Sequence, residues 1–239
     1  MKEYPRKLYD EFKYCNNGKK VPRVKNKYFT EQEKTTLQDV MRHRRDVRGN
    51  HFVDKPLDNS VVQQILQVAE ISPSVGFSQP WEFVIIRDQQ TKQAVADVFA
   101  VENIKAEKQF SDEKRQQYAA LKLEGILKTP VNIAVFYKPS KDAVLGQTSM
   151  EEMGEYSVVC AVQNMWLMSR ALNVGMGWVS ILDPEKVKEI LNAPQQNKLV
   201  AYLCLGYVDE FLESPELEQL KWQSRAPLEQ AVHQERYKD

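Results

Sequence analysis

Five consecutive residues, Arg44-Arg45-Asp46-Val47-Arg48, set three guanidiniums around one carboxylate, with Arg42 and His43 just ahead. Arginine presents a planar fork of donors that matches phosphate oxygens two at a time, and it stays charged at any working pH. The same pentapeptide would also serve as a solvated charged turn. A second stretch with chemical content is Ser72-Pro73-Ser74-Val75-Gly76-Phe77-Ser78-Gln79-Pro80-Trp81. Its small hydroxyls could act as donors beside an aromatic wall, although an ordinary turn has the same composition. A third is Gly175-Met176-Gly177-Trp178-Val179-Ser180, where two glycines would let backbone approach a flat ligand closely. The third glycine of a dinucleotide fingerprint is missing, and a helix precedes the pair where that motif wants a strand. Ser180 reads equally as a site hydroxyl or as a strand serine bonded to neighbouring backbone.

Composition narrows the function classes. Thirty-three basic residues balance thirty-three acidic ones in 239, so no basic excess marks a nucleic-acid surface. No C-x-x-C occurs, and His43, His51 and His233 lack metal-ligand spacing, so no metal is expected. Cys160 and Cys204 sit in apolar runs and read as core, whereas Cys15 lies in a polar leader. No hydrophobic signal or membrane-spanning run is visible, which makes the cytoplasm the expected location.

The elements that would position these stretches interleave helix and strand. Residues 1–36 read as a weakly structured extension, resting on the body through Tyr9, Phe12 or Tyr28. Thr30 and Glu33 form a capping-box signature, and Leu37, Val40 and Met41 at helical spacing carry a helix into the arginines. Val61, Val62, Ile65, Leu66 and Ala69 make the apolar face of a second helix, ended by Pro73. A strand is expected at Phe83–Arg87 and a helix capped by Asp88. Another helix should open at Ser111 or Asp112 and run through Tyr118, Leu121 and Ile126. Val131–Tyr137 reads as a buried strand.

Glu151–Leu172 is apolar almost all round and reads as the central buried helix, its Met and Trp residues being core. Gly175–Leu182 follows as a strand, Asp183-Pro184 as cap and first turn of a short helix, and Leu199–Gly206 as the sheet centre. Trp222–Leu228 would be an arginine-bearing loop. One α+β domain over residues 37–239 follows.

Taken in order, these motifs resemble the nitroreductase-like flavoproteins, and within them the BluB-type 5,6-dimethylbenzimidazole synthases. Leu121-Lys122-Leu123-Glu124-Gly125-Ile126, Ala161-Val162-Gln163-Asn164-Met165-Trp166 and Arg225-Ala226-Pro227-Leu228-Glu229 complete the pattern, which spans roughly residues 37–235. An arginine pair followed by S-P-S and Q-P-W suits the wider group. Asp46 among the arginines and the run Trp178-Val179-Ser180-Ile181 point to the synthase branch. Phe77-Ser78 stands where many nitroreductases carry a polar Asn.

The resemblance implies a mostly antiparallel sheet flanked by helices, in a homodimer whose C-terminal tail reaches the partner subunit. It implies flavin mononucleotide, FMN, with Arg44, Arg45, Asp46, Val47, Arg48 and Arg225 around its phosphate and ribityl chain. Ser72, Pro73, Ser74 and Gln79 would lie along the ring, Gly177, Trp178 and Val179 at its central edge, and Leu121 on a covering excursion. The implied reaction fragments reduced FMN with molecular oxygen to 5,6-dimethylbenzimidazole, the lower ligand of cobalamin, and erythrose 4-phosphate. A separate flavin reductase would supply the reduced flavin. Asp46 and Ser180 match the catalytic positions, with Asp46 expected to stay ionised between its arginines. The alternatives are an NAD(P)H-dependent FMN nitro- or quinone reductase and a non-catalytic FMN-binding protein.

Overall fold

The computed structural model describes residues 27–237. Tyr9, Phe12 and Cys15 lie outside the described residues. Two compact units are distinguished, one ending at Gln38 and one beginning at Asp39. In the first, the capping box forms as expected. The Thr30 N–H donates to Glu33 Oε2 at 2.9 Å, and the Glu33 N–H donates to Thr30 Oγ1 at 3.3 Å. Helix α1 therefore starts at Glu31 and runs to His43, so residues 31–36 of the expected weak extension are its first turns.

The second unit is built on a four-stranded sheet, β1 (Trp81–Ile86), β2 (Val131–Tyr137), β3 (Gly175–Val179) and β4 (Lys198–Gly206), in the order β1-β2-β4-β3. All three pairings are antiparallel. Every residue of β2 is buried, because alternate side chains enter two different cores. Val131, Ile133 and Val135 face α2 (Asn59–Glu70) and α5 (Met153–Ala171). Ala134 and Phe136 face the side of α3 (Gln89–Glu107) and α6 (Pro184–Ile190). Burial on both faces explains why β2 and β4 read as unbroken apolar runs rather than alternating ones.

The caps at Asp88 and Asp183 form, accepting from Thr91 N–H and from the Glu185 and Lys186 N–H groups. Three expectations need correction. Helix α4 spans only Asp112–Ala120, and Leu121 turns extended, so the Leu121–Ile126 stretch is not helical. Strand β3 stops at Val179, which leaves Ser180 beyond it. Helix α5 is not buried all round: it packs on the sheet and α2 through Val158, Ala161, Val162 and Met165, but Tyr156, Val159 and Cys160 are exposed. A four-residue helix, α7 (Glu216–Gln219), follows β4.

Candidate active site

After α1 the chain becomes extended and lies beside β3. Asp46 bridges Met176 in parallel, and the Val47 N–H donates to the Met176 carbonyl at 3.1 Å. Segment 46–47 is thus a short fifth strand on the free edge of β3. A side chain at Gly177 would collide with the Val47 carbonyl oxygen. This glycine admits segment 46–47, and so places Asp46.

Asp46 Oδ1 accepts from the Trp178 N–H at 3.0 Å, and Oδ2 pairs with Arg48 at 2.9 Å. Burial pushes its carboxyl above the usual aspartate range; the Arg48 charge, the Trp178 N–H and the Arg44 charge oppose that push without cancelling it. The arginines favour the ionised form as expected, but burial acts against them and outweighs them. The side chain keeps 31% of its surface accessible, so it lines a cleft and remains reachable. Ser180 is exposed two residues beyond Trp178, about 7 Å along an extended chain. Asp46 meets β3 at Met176 and Trp178, and Ser180 follows just after the end of that strand.

The arginines divide into two kinds. Arg45 is a clamp: its guanidinium donates to the carbonyls of Arg42, Arg44, Leu212 and Glu213. Those bonds leave Arg45 little capacity for the phosphate contact expected of it. Arg48 pairs with Asp46, reaches the Leu123 carbonyl at 3.4 Å and lies 3.9 Å from Glu216. Arg44 stacks on the Trp166 ring at 4.7 Å, and the same indole N–H donates to the Arg45 carbonyl at 3.1 Å. Among the described residues, Arg44 and the exposed Arg225 donate no hydrogen bond. The pKa of Arg45 is lowered first by burial, then by the charges of Arg44, Arg170 and Arg225, with Glu218 opposing. Four guanidiniums thus crowd one region with too few counter-charges, which is the donor set a phosphate dianion would complete.

Arg170 was not singled out by the motifs. It looks like an ordinary cation at a helix end, yet it donates to the His43 carbonyl at 2.9 Å and stacks on Phe211 at 4.0 Å. His51 was missed as well; its ring lies 3.6 Å from Asp209 and 3.9 Å from Glu216. No local sequence pattern joins His51 to residues so far along the chain.

Helix α5 also holds the loop 72–79. Asn164 donates to Ser72 Oγ at 2.7 Å, and Ser157 Oγ accepts from the Val75 N–H at 3.0 Å. Ser72 is buried and also bonds the Val68 carbonyl, so its hydroxyl holds the loop in place. Ser74 Oγ accepts from the Gln79 N–H at 3.1 Å, while Pro73 and Gln79 are exposed. From Asn164 to Arg170 is about 9 Å of helix, so one rigid element carries both the loop and the arginine corner. The Trp178 ring stands 6.1 Å from Trp166 and closes the aromatic side; Gly177 and Val179 are buried in β3. Leu121 is half-buried, and its neighbours provide the contact with the corner. The Leu123 carbonyl meets Arg48, and the Glu124 carbonyl accepts from the Gly49 N–H at 2.8 Å.

A cleft of about 590 Å³ beside residues 139–152 is lined by Tyr137, Gln147, Glu151, Glu155 and Lys198. Its acidic character and its lack of any of these arginines set it apart from the candidate site. No described helix is long and apolar enough to cross a membrane.

Residues 41–207 match the family model described as "Nitroreductase family". The chain belongs to the Nitroreductase family. Within this family it is 43% identical, over 193 residues, to a protein of Rhodospirillum rubrum named 5,6-dimethylbenzimidazole synthase; the match covers 80% of this chain and 90% of that one. Among solved structures, a BluB-like flavoprotein from Clostridium difficile superposes with a TM-score of 0.63 at 21% identity, over 84% of this chain and 99% of that one. An iodotyrosine deiodinase bound to FMN and 3-iodo-L-tyrosine gives a TM-score of 0.63 at 21% identity, over 74% and 91%. These two likenesses establish the nitroreductase-like fold, an α+β arrangement with an antiparallel sheet flanked by helices.

Proposed function

We propose that this protein is a 5,6-dimethylbenzimidazole synthase, fragmenting reduced FMN with molecular oxygen to the benzimidazole and erythrose 4-phosphate. The observation that carries the proposal is the 43% identity to a protein of that name over 90% of its length. The chain's own residues fit the flavin. Arg44 and Arg225, with Arg48 and Arg170, form the anion-binding end, and Arg45 braces the segment that carries Arg44 and Arg48. Ser72, Pro73, Ser74 and Gln79 form the loop end, with Gly177, Trp178 and Val179 between.

Bound FMN would supply both the reaction with oxygen and the carbon skeleton that is broken. The protein would supply a proton acceptor of raised pKa. Asp46 is held toward the cleft by Trp178 N–H and Arg48, so it is anchored while remaining accessible. A carboxylate whose pKa is moved toward neutrality is a better match for general-base work than one held low by ion pairs. Ser180, exposed just beyond the end of β3, would hydrogen-bond the flavin ring. Helix α5 leaves Tyr156, Val159 and Cys160 uncovered, which supports a homodimer built across that helix. A separate reductase is assigned the supply of reduced flavin.

Comparing wild type with Asp46→Asn tests the reading. The variant should bind FMN as wild type does and lose about 10²–10⁴-fold of benzimidazole formation. Undiminished product from the variant would refute the assignment of Asp46.

A further inference from the structure

The segment that follows β4 is gripped at three successive points before it reaches Arg225. Arg45 holds the carbonyls of Leu212 and Glu213. Arg48 and His51 each stand 3.9 Å from Glu216. The third grip is aromatic. Helix α7 ends with Lys221 at a φ of 55°, and the Trp222 N–H turns back to the Leu217 carbonyl at 2.9 Å. This turn seats the Trp222 ring among residues of the α3–α4 excursion. Its centroid lies 5.2 Å from Phe110 in an edge-on geometry and 6.3 Å from Tyr118. Lys114 Nζ sits 4.4 Å over the indole and donates to the Trp222 carbonyl at 3.3 Å. The Tyr118 hydroxyl in turn donates to Asn103 Oδ1 at 2.7 Å, which ties the seat to α3.

Arg225 comes three residues later, no more than about 10 Å of chain away. It is exposed, and among the described residues it has no hydrogen bond of its own. Its positive charge acts on Arg45, as do those of Arg44 and Arg170, and like charges disfavour one another. Something other than charge has to keep it there, and the seat at Trp222 is placed to do so. An arginine already restrained loses less freedom when a phosphate binds than one on a loose tail.

We infer that Trp222, held by Phe110, Tyr118 and Lys114, is a positioning residue for flavin-phosphate recognition, and that it makes the protein select the phosphorylated flavin over riboflavin. The inference rests on the FMN reading above and extends it to a specificity device outside the arginine corner. It also links the excursion to phosphate binding through one side chain.

The test is a set of dissociation constants for oxidised FMN and for riboflavin, measured on the full-length chain. The proteins are wild type, Arg225→Ala, Trp222→Ala, Trp222→Phe and the double variant Trp222→Ala/Arg225→Ala. Arg225→Ala should weaken FMN about 10-fold or more, as loss of a charge-assisted contact does, and leave riboflavin unchanged. Trp222→Ala should reproduce that selective loss, Trp222→Phe should largely restore FMN binding, and the double variant should be no worse than the singles. Lys114→Ala, which removes the cation over the indole, should give a smaller loss in the same direction and serves if Trp222→Ala does not fold. Equal weakening of both ligands, multiplicative losses in the double variant, or unchanged FMN binding in Trp222→Ala would overturn the seat. Wild type with no affinity for FMN would overturn the flavin reading, and this inference with it.

Discussion

At the scale of single residues, the site turns on the competition between burial and charge at Asp46. The arginine-rich spacing favours a carboxylate in its ionised form. In the fold, segment 46–47 is pressed against β3, and desolvation outweighs the arginines. The sign for stability follows. An aspartate whose folded pKa is raised binds more protons folded than unfolded, so its contribution is fully present below the ordinary aspartate pKa and is lost as pH rises through the folded value. Asp46→Asn removes that loss while keeping an oxygen for the Trp178 N–H. The Tm of the variant relative to wild type should therefore rise with pH across that window. A Tm difference independent of pH would mean that Asp46 titrates as an ordinary surface aspartate. The same residue scale explains why Arg170 and His51 went unseen: their partners, His43, Asp209 and Glu216, become neighbours only through the fold.

At the scale of elements, much of the architecture could be read directly. The capping box at Thr30, the caps at Asp88 and Asp183, and the apolar runs of β2 and β4 each announce themselves locally, because each depends on residues a few positions apart. What could not be read depends on contacts between distant segments. Leu121–Ile126 has helical composition, but its backbone is used to meet Arg48 and Gly49, and Gly125 packs against Phe52 and Gly49. Gly177 is the seat of Val47, a contact that no local pattern announces. Gly177→Ala forces a methyl group against backbone that cannot yield. It should cost about 1–3 kcal/mol in denaturant unfolding and weaken FMN binding through the displaced Asp46 and Arg48. A variant as stable as wild type with full FMN affinity would show that segment 46–47 is not held by that contact.

At the scale of the whole molecule, α5 joins the two halves of the account. One side of it carries Asn164, Trp166 and Arg170 into the site, and another leaves Tyr156 at 51% and Val159 at 40% exposure. A helix this apolar and this central, uncovered on one stripe, calls for a second protein surface. Sedimentation should give a species of twice the 27.8 kDa chain mass, and Tyr156→Glu with Val159→Glu should shift it to monomer. A monomeric wild type at micromolar concentration would remove the homodimer from the proposal.

The central claim is that the flavin is consumed, not merely carried. Chemically reduced FMN should be mixed in air with an equal amount of the protein, without NAD(P)H, and the mixture separated by chromatography. The account predicts 5,6-dimethylbenzimidazole in proportion to the FMN that disappears. Complete recovery of the flavin as oxidised FMN, with no benzimidazole, would contradict it.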